Sequence, residues 1–138
     1  MKITIRPARA KDLEAIHGLI KTYAKEKRLI ARSAAEIKKT LKNFFLAEIK
    51  CKGQAIAIGC AALEIYSSKL AEVRSLAVHP DYKGVGAGRA LVKACVERAH
   101  KRRVLEVMAI TSSEAFFNKL GFHFALPHEK KALFLMTR

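Results

Sequence analysis

The chain has 138 residues, 51% of them hydrophobic and 28% charged, which fits one globular domain with a single modest core and excludes a disordered or fibrous chain. No apolar run reaches the roughly 18 residues that a membrane-spanning helix needs. The formal net charge is +15, which favours anionic partners such as nucleic acid, a membrane surface or a phosphorylated small molecule.

Ile3 to Arg6 alternates as a strand does, and Pro7 stops it. This start lacks the apolar block of a secretory signal, so a cytoplasmic location is expected. Leu13, Ile16, Ile20 and Tyr23 recur at helical spacing and predict a helix over 11–27. Ser33-Ala34-Ala35-Glu36 has the spacing of a capping box, and Ile37 with Leu41 extends a short second helix behind it. Phe44 to Lys50 reads as a strand, Lys52-Gly53 as a turn, and Gln54 to Tyr66 as a longer strand with Gly59 marking a bulge. Ser67-Ser68-Lys69 turns the chain back into a strand from Ala71 to Val78.

After a glycine-rich stretch, a helix runs from Arg89 to about Lys101 with Leu91, Ala94, Cys95 and Ala99 inward. Val104 to Ile110 is β-branched and reads as a strand. Thr111-Ser112-Ser113-Glu114 has capping-box spacing before a short helix that Gly121 ends, and Phe122–Ala125 and Ala132–Thr137 read as two closing strands. The predicted class is α/β, a mixed and mostly antiparallel sheet of about seven strands flanked by about four helices, in one domain over residues 1–138. Cys51, Cys60 and Cys95 have neither metal nor redox spacing, and none of the five histidines is spaced as a ligand set. Reduced structural cysteines and no metal are expected.

Three glycines fall within five residues in Lys83-Gly84-Val85-Gly86-Ala87-Gly88-Arg89, between a strand and a helix. Such a turn aims backbone N–H groups at one point, and the helix N-terminus adds about half a positive charge there. A pyrophosphate suits that geometry. No Gly-Lys-Ser/Thr follows, so this is not a Walker loop, and a dinucleotide fold would carry its glycines after the first strand.

With Leu76-Ala77-Val78-His79-Pro80 before it, the stretch resembles the acetyl-coenzyme A loop (Q/R-x-x-G-x-G/A) of the GNAT N-acetyltransferase superfamily. The element order is also that superfamily's, and Phe116-Phe117-Asn118-Lys119-Leu120-Gly121-Phe122 resembles its later helix-to-strand signature. The resemblance implies that N–H groups from Lys83, Gly84, Val85, Gly86, Ala87, Gly88 and Arg89 cradle the pyrophosphate of acetyl-CoA. It also implies that Leu76, Ala77 and Val78 pair with the pantetheine arm by strand addition, that one of their amides faces the thioester oxyanion, and that Asn118 reaches the coenzyme's tail. Lys83 stands where Arg or Gln is usual, keeping the charge without the bidentate fork.

Within the superfamily, Leu29-Ile30-Ala31-Arg32-Ser33, Asn43-Phe44-Phe45 with Gly59-Cys60-Ala61-Ala62-Leu63, and Ala71-Glu72-Val73-Arg74-Ser75-Leu76-Ala77-Val78-His79-Pro80-Asp81-Tyr82 are similar to the acetyltransferase domain of bacterial N-acetylglutamate synthases. That implies transfer of acetyl to the α-amine of L-glutamate, in arginine biosynthesis, with Arg32 gripping a substrate carboxylate and Glu72 as general base. The chemistry asks for both: an ammonium must lose a proton before attacking a thioester, and a planar guanidinium matches a carboxylate. Arg74 and Lys130 are further candidates for the substrate carboxylates, and Glu64 is a second candidate base. Thr111 and Ser112 stand where the family often has Thr-Tyr, so either would take the role of acid for the departing thiolate. The segment between His128 and Ala132 is short for a single-domain relative. Another amino acid, a polyamine or a protein amine is therefore the alternative acceptor, and a homodimer through the last strands is common in the superfamily. A nucleic-acid or ribosome-associated module is the alternative of another class, motivated by charge. With 7% aromatics and no Trp, the chain offers no stacking platform for nucleic acid.

Overall fold

The computed structural model describes residues 1–26, 29, 31–123 and 133–137. Strand β1 (Thr4–Pro7) leads through a 3-10 turn at Ala10–Asp12 into helix α1 (Leu13–Lys25). Helix α2 (Ala34–Lys39) starts at the expected cap, where the Ser33 hydroxyl accepts from the Glu36 N–H. Strands β2 (Phe44–Cys51), β3 (Gln54–Ile65) and β4 (Leu70–Val78) follow as an antiparallel meander, and the glycine turn opens helix α3 (Ala87–Lys101). Strand β5 (Glu106–Met108) and helix α4 (Glu114–Asn118) complete the order.

The sheet runs β1-β2-β3-β4-β5, antiparallel up to β4, with β5 parallel to β4. It is mixed, as expected, but has five strands among the described residues where about seven are predicted. Strand β5 is shorter than predicted, and the two predicted closing strands do not appear among the described residues. Val104 is tied to α3, its N–H donating to the Ala99 carbonyl, so β5 starts later than predicted. Beyond Met108 the chain leaves β4, and residues 109 and 110 pair with no strand among the described residues. Phe122 and His123 follow a helix-ending turn, in which the Phe122 N–H bonds back to the Phe117 carbonyl, and residues 133–137 pair with nothing described. The predicted Phe122–Ala125 strand otherwise lies outside the described residues.

Helices cover both faces. Ala61, Leu63, Ala71 and Val73 face a core built with Leu91, Val92 and Cys95 of α3 and Phe117 of α4. Leu46, Cys60, Ala62 and Ala77 face the other core, with Ile16, Ile20 and Tyr23 of α1 and Ile37 of α2. Gly59 of β3 is pressed by both α3 and β4: a methyl there would lie 3.1 Å from both the Ala77 carbonyl oxygen and Leu91 Cδ1. Cys60 and Cys95 are buried and free, whereas Cys51 is exposed. Burial pushes both buried thiols up to about 12. Arg6 is fixed beneath the α1 entry by Asp12 at 2.8 and 2.9 Å and by Glu48 at 3.2 Å. The Asp12 carboxyl, hydrogen-bonded to Arg6 and to the Arg9 N–H, is held below the usual carboxylate range despite its burial.

Candidate functional site

Strand β4 is the axis of the site. Opposite β3 it has an irregular register: Cys60 faces Ala77 but Ala62 faces Arg74, so β4 carries an extra residue between them. Ser75 lies in that interval with φ of 55°, a left-handed value uncommon for a residue with a side chain. Opposite β5, pairing covers only Leu70, Ala71 and Glu72. From Val73 to Val78 that edge of β4 is unpaired among the described elements, about 20 Å of strand at 3.3 Å per residue. Glu72 is the last residue paired on both sides and so stands at the vertex of the opening.

At the far end of the open edge lies the glycine turn. Gly84 and Gly86 have φ of 81° and 92°, conformations that favour residues without a Cβ, and Gly86 is the N-cap of α3. Nothing lies within 4 Å of where a Cβ would stand on either, so the turn is shaped by backbone geometry and its concave side is open. Lys83 and Arg89 are exposed beside it. The Lys83 ammonium lies 5.2 Å above the Tyr23 ring, while the Tyr23 hydroxyl donates to the Val78 carbonyl. Helix α4 closes in from the side, with the Phe116 ring packed where a Gly88 methyl would be, 3.4 Å from Cζ. Asn118 is exposed on that helix. The residues present therefore fit a pyrophosphate and an extended arm: unencumbered N–H groups, flanking cations and a free strand edge.

The other end of β4 carries the titratable groups. Glu64 of β3 and Glu72 of β4 are directly opposed in the register, and by alternation both point to the face of α1 and α2, away from Ala71 and Val73. Like charges so placed repel, and two neighbours separate their roles. Arg74 bonds Glu64 at 2.6 Å, and this pairing raises the Arg74 pKa. Tyr66 donates to Glu72 at 2.5 Å. The pairing of Glu72 with Arg74 that adjacency invites is not formed. Loss of solvent around the Tyr66 hydroxyl, and then the Glu72 carboxylate, push the phenol up to about 12, although half of the side chain is exposed.

Arg32, just before α2, reaches the same strand. Its guanidinium donates to the Ser75 hydroxyl at 3.2 Å and to the Thr40 hydroxyl at 3.2 Å, and lies over the Phe44 ring at 5.6 Å. It is half-buried and bonds no carboxylate among the described residues. A guanidinium held only by neutral groups keeps the charge and fork geometry that can receive a carboxylate.

Other candidates stand apart. Thr111 and Ser112 are exposed in the turn before α4, where the Thr111 hydroxyl oxygen accepts from the Ser113 N–H at 2.8 Å. The predicted capping box there is not formed. Ser113 is the N-cap, so Glu114 falls at the first helical position, two short of where a box needs it. Lys130 lies outside the described residues. A wide groove of about 640 Å³ between α3 and β1, lined by Ile5, Phe45, Lys93, Glu97 and Arg98, opens on the opposite face from Glu72. The open edge of β4 is where backbone donors, flanking cations and opposed carboxylates come together along one strand, and the candidate site is drawn there. Among the described residues no group of His, Cys, Asp and Glu could hold a metal ion, and no helix is long and apolar enough to cross a membrane. Tyr66 is the residue that sequence reasoning missed. Counting outward from the Ser67-Ser68-Lys69 turn pairs Ile65 with Ala71 and Glu64 with Glu72, which was signal enough to find it.

Residues 40–124 match the family described as acetyltransferase (GNAT) domain. An uncharacterized N-acetyltransferase of Chlorobaculum tepidum is 37% identical over 86% of this chain and 74% of its own length. An amino-acid acetyltransferase of Actinobacillus pleuropneumoniae is 32% identical over 92% of this chain, which spans only 30% of that relative. A Mycobacterium tuberculosis protein solved in complex with CoA superposes with a TM-score of 0.80 at 32% identity, over 86% of this chain and 70% of that one. The N-acetylglutamate synthase of Neisseria gonorrhoeae, solved with coenzyme A and L-arginine, superposes at 0.74 and 25% identity, over 94% of this chain and 29% of that one.

Proposed function

The chain belongs to the acetyltransferase (GNAT) domain family, and from that premise we propose that it moves acetyl from acetyl-CoA to the α-amine of an amino acid, L-glutamate first among them. The observation that carries the reading is the open edge of β4, which joins the glycine turn at one end to Glu72 at the other. N–H groups of the turn with Lys83 and Arg89 bind the pyrophosphate. The amides of Leu76, Ala77 and Val78 hold the extended arm, and one of them faces the thioester oxygen as it gains charge. Arg32 takes an acceptor carboxylate and so fixes the amine relative to the thioester. Glu72, directly or through one water, accepts the ammonium proton; the amine then attacks the carbonyl carbon, the nitrogen sheds its second proton to water, and the C–S bond breaks as the thiolate departs. Coenzyme A's thiol, with an ordinary pKa of roughly 8.5, takes its proton from water, and the Thr111 hydroxyl needs no part in the step. Arg74, paired with Glu64, serves to neutralise the second carboxylate near the acceptor. Support for glutamate comes from the Arg32 receptor together with the similarity to the Neisseria synthase.

Thiol release from acetyl-CoA tests this, run with L-glutamate, other amino acids, a polyamine and a basic peptide. Turnover with glutamate that falls at least a hundredfold in Glu72→Gln is the expected result. Acetyl-CoA binding with turnover only on the polyamine or the peptide overturns the amino-acid acceptor and keeps the family.

A further inference from the structure

Two carboxylates meet on one face of the sheet, and the cross-strand neighbours decide which of them is available. Glu64 is closed off by Arg74 at 2.6 Å, a charge-assisted contact that occupies an acceptor oxygen with a neighbouring cation. Glu72 has no cation within bonding distance among the described residues and is held by a single neutral donor, the Tyr66 hydroxyl. The donor comes from the end of β3, where the Tyr66 N–H bonds the Leu70 carbonyl and closes the turn into β4. Tyr66 is therefore anchored by its backbone as well as by its hydroxyl, and its ring spans from that turn to the vertex where β5 leaves β4.

We propose that Tyr66 is a positioning residue that holds the Glu72 carboxylate at the vertex of the open edge, in the rotamer that faces the acceptor amine. This rests on the reading of Glu72 as the base. A carboxylate on an open strand end has three staggered χ1 wells, and without a partner it divides its time among them. The phenol binds one carboxylate oxygen and leaves the other free to receive a proton. An arginine in its place would oppose protonation of the carboxylate by its charge; a neutral hydroxyl orients it with a smaller penalty. The groups facing Tyr66 are Glu72, Glu64 and Arg74.

The test is a set of variants with two readouts. In Tyr66→Phe, kcat falls about tenfold, KM for acetyl-CoA is unchanged and the thermal midpoint stays put. Placed in a Glu72→Gln background, Tyr66→Phe has no further effect, whereas in a Glu64→Gln background it keeps its full effect. The second readout needs no turnover. The chain has three tyrosines and no tryptophan, so phenolate absorbance is uncluttered, and the component lost in Tyr66→Phe belongs to Tyr66. In the parent protein that component stays mostly un-ionised at pH 11, in keeping with a pKa of about 12; in Glu72→Gln it moves toward the ordinary value of about 10. Unchanged kcat in Tyr66→Phe, or the same tenfold loss on top of Glu72→Gln, overturns the proposal. If Glu72→Gln alone keeps parental turnover, the base assignment itself fails and this inference fails with it. Loss in Glu72→Gln with none in Tyr66→Phe removes only the positioning role.

Discussion

Replacing Arg32 with alanine isolates the acceptor end of the site from the coenzyme end. The guanidinium is fixed by two 3.2 Å bonds to hydroxyls and by the Phe44 ring, so its geometry is set before any acceptor arrives and little rotamer entropy remains to be lost on binding. A carboxylate seated on it makes charge-assisted hydrogen bonds worth about 1.5–3 kcal/mol. Half-burial places the expected value near the middle, about 2 kcal/mol, which is about thirtyfold in kcat/KM for the acceptor. Arg32→Lys keeps the charge but not the fork that meets Ser75 and Thr40 together, so it recovers only part of the loss. The assay is steady-state thiol release with each substrate varied in turn. KM for L-glutamate rises, KM for acetyl-CoA does not, and a carboxylate-free amine loses nothing. An acceptor KM that stays at the parental value in Arg32→Ala, or an equal loss with the carboxylate-free amine, would show that the guanidinium is a structural clamp between α2 and β4.

Gly86→Ala places a side chain at φ of 92°, at a conformational cost of about 1–2 kcal/mol with no steric clash added; acetyl-CoA affinity measured by calorimetry falls, and glutamate KM at saturating coenzyme is unchanged. Asp12→Asn breaks a buried pair with Arg6, at about 3 kcal/mol or about 10 °C in Tm near pH 7. Because the Asp12 pKa is lowered in the folded state, the stability it lends is present above its unfolded pKa of about 3.9 and is lost as pH falls through the folded value, so parent and variant converge in acid. Of the three free thiols, only exposed Cys51 reacts with a disulfide reagent at pH 8 in the native protein, since burial holds Cys60 and Cys95 near 12; all three react after denaturation.

What the residues announced in advance was whatever depends on short range. The Ser33 cap, the α1 and α3 stripes and the glycine turn are set by spacings of one to four residues, and each appears where those spacings put it. The Thr111 box failed at the same range because a hydroxyl two residues before an N–H can satisfy it without any helix. Features that need a partner strand were harder to read. The divorce of Glu72 from Arg74 follows from the β3–β4 register, and Val104 to Ile110 has strand propensity throughout but, among the described residues, a neighbour for only three of its positions. The extra residue at Ser75 carries no glycine or proline to mark it. It is legible only from the cores: Ala71 and Val73 pack on one side, and two residues after Ser75 it is Ala77 that packs on the other.

That misfit of count divides β4 into two reading frames. Upstream of Ser75 the odd positions face α3; downstream Leu76 and Val78 do, and the odd position Ala77 faces α1. The half that carries Glu72 and Arg74 and the half that would line the coenzyme are thus patterned independently, although they belong to one strand. Drift in the acceptor half can change what is acetylated without moving a side chain of the coenzyme half to the wrong face. A single-residue deletion at the junction, by contrast, would merge the frames and turn one half inside out. The strand is free to vary in composition and closed to variation in length, a constraint that belongs to its arithmetic more than to any one side chain.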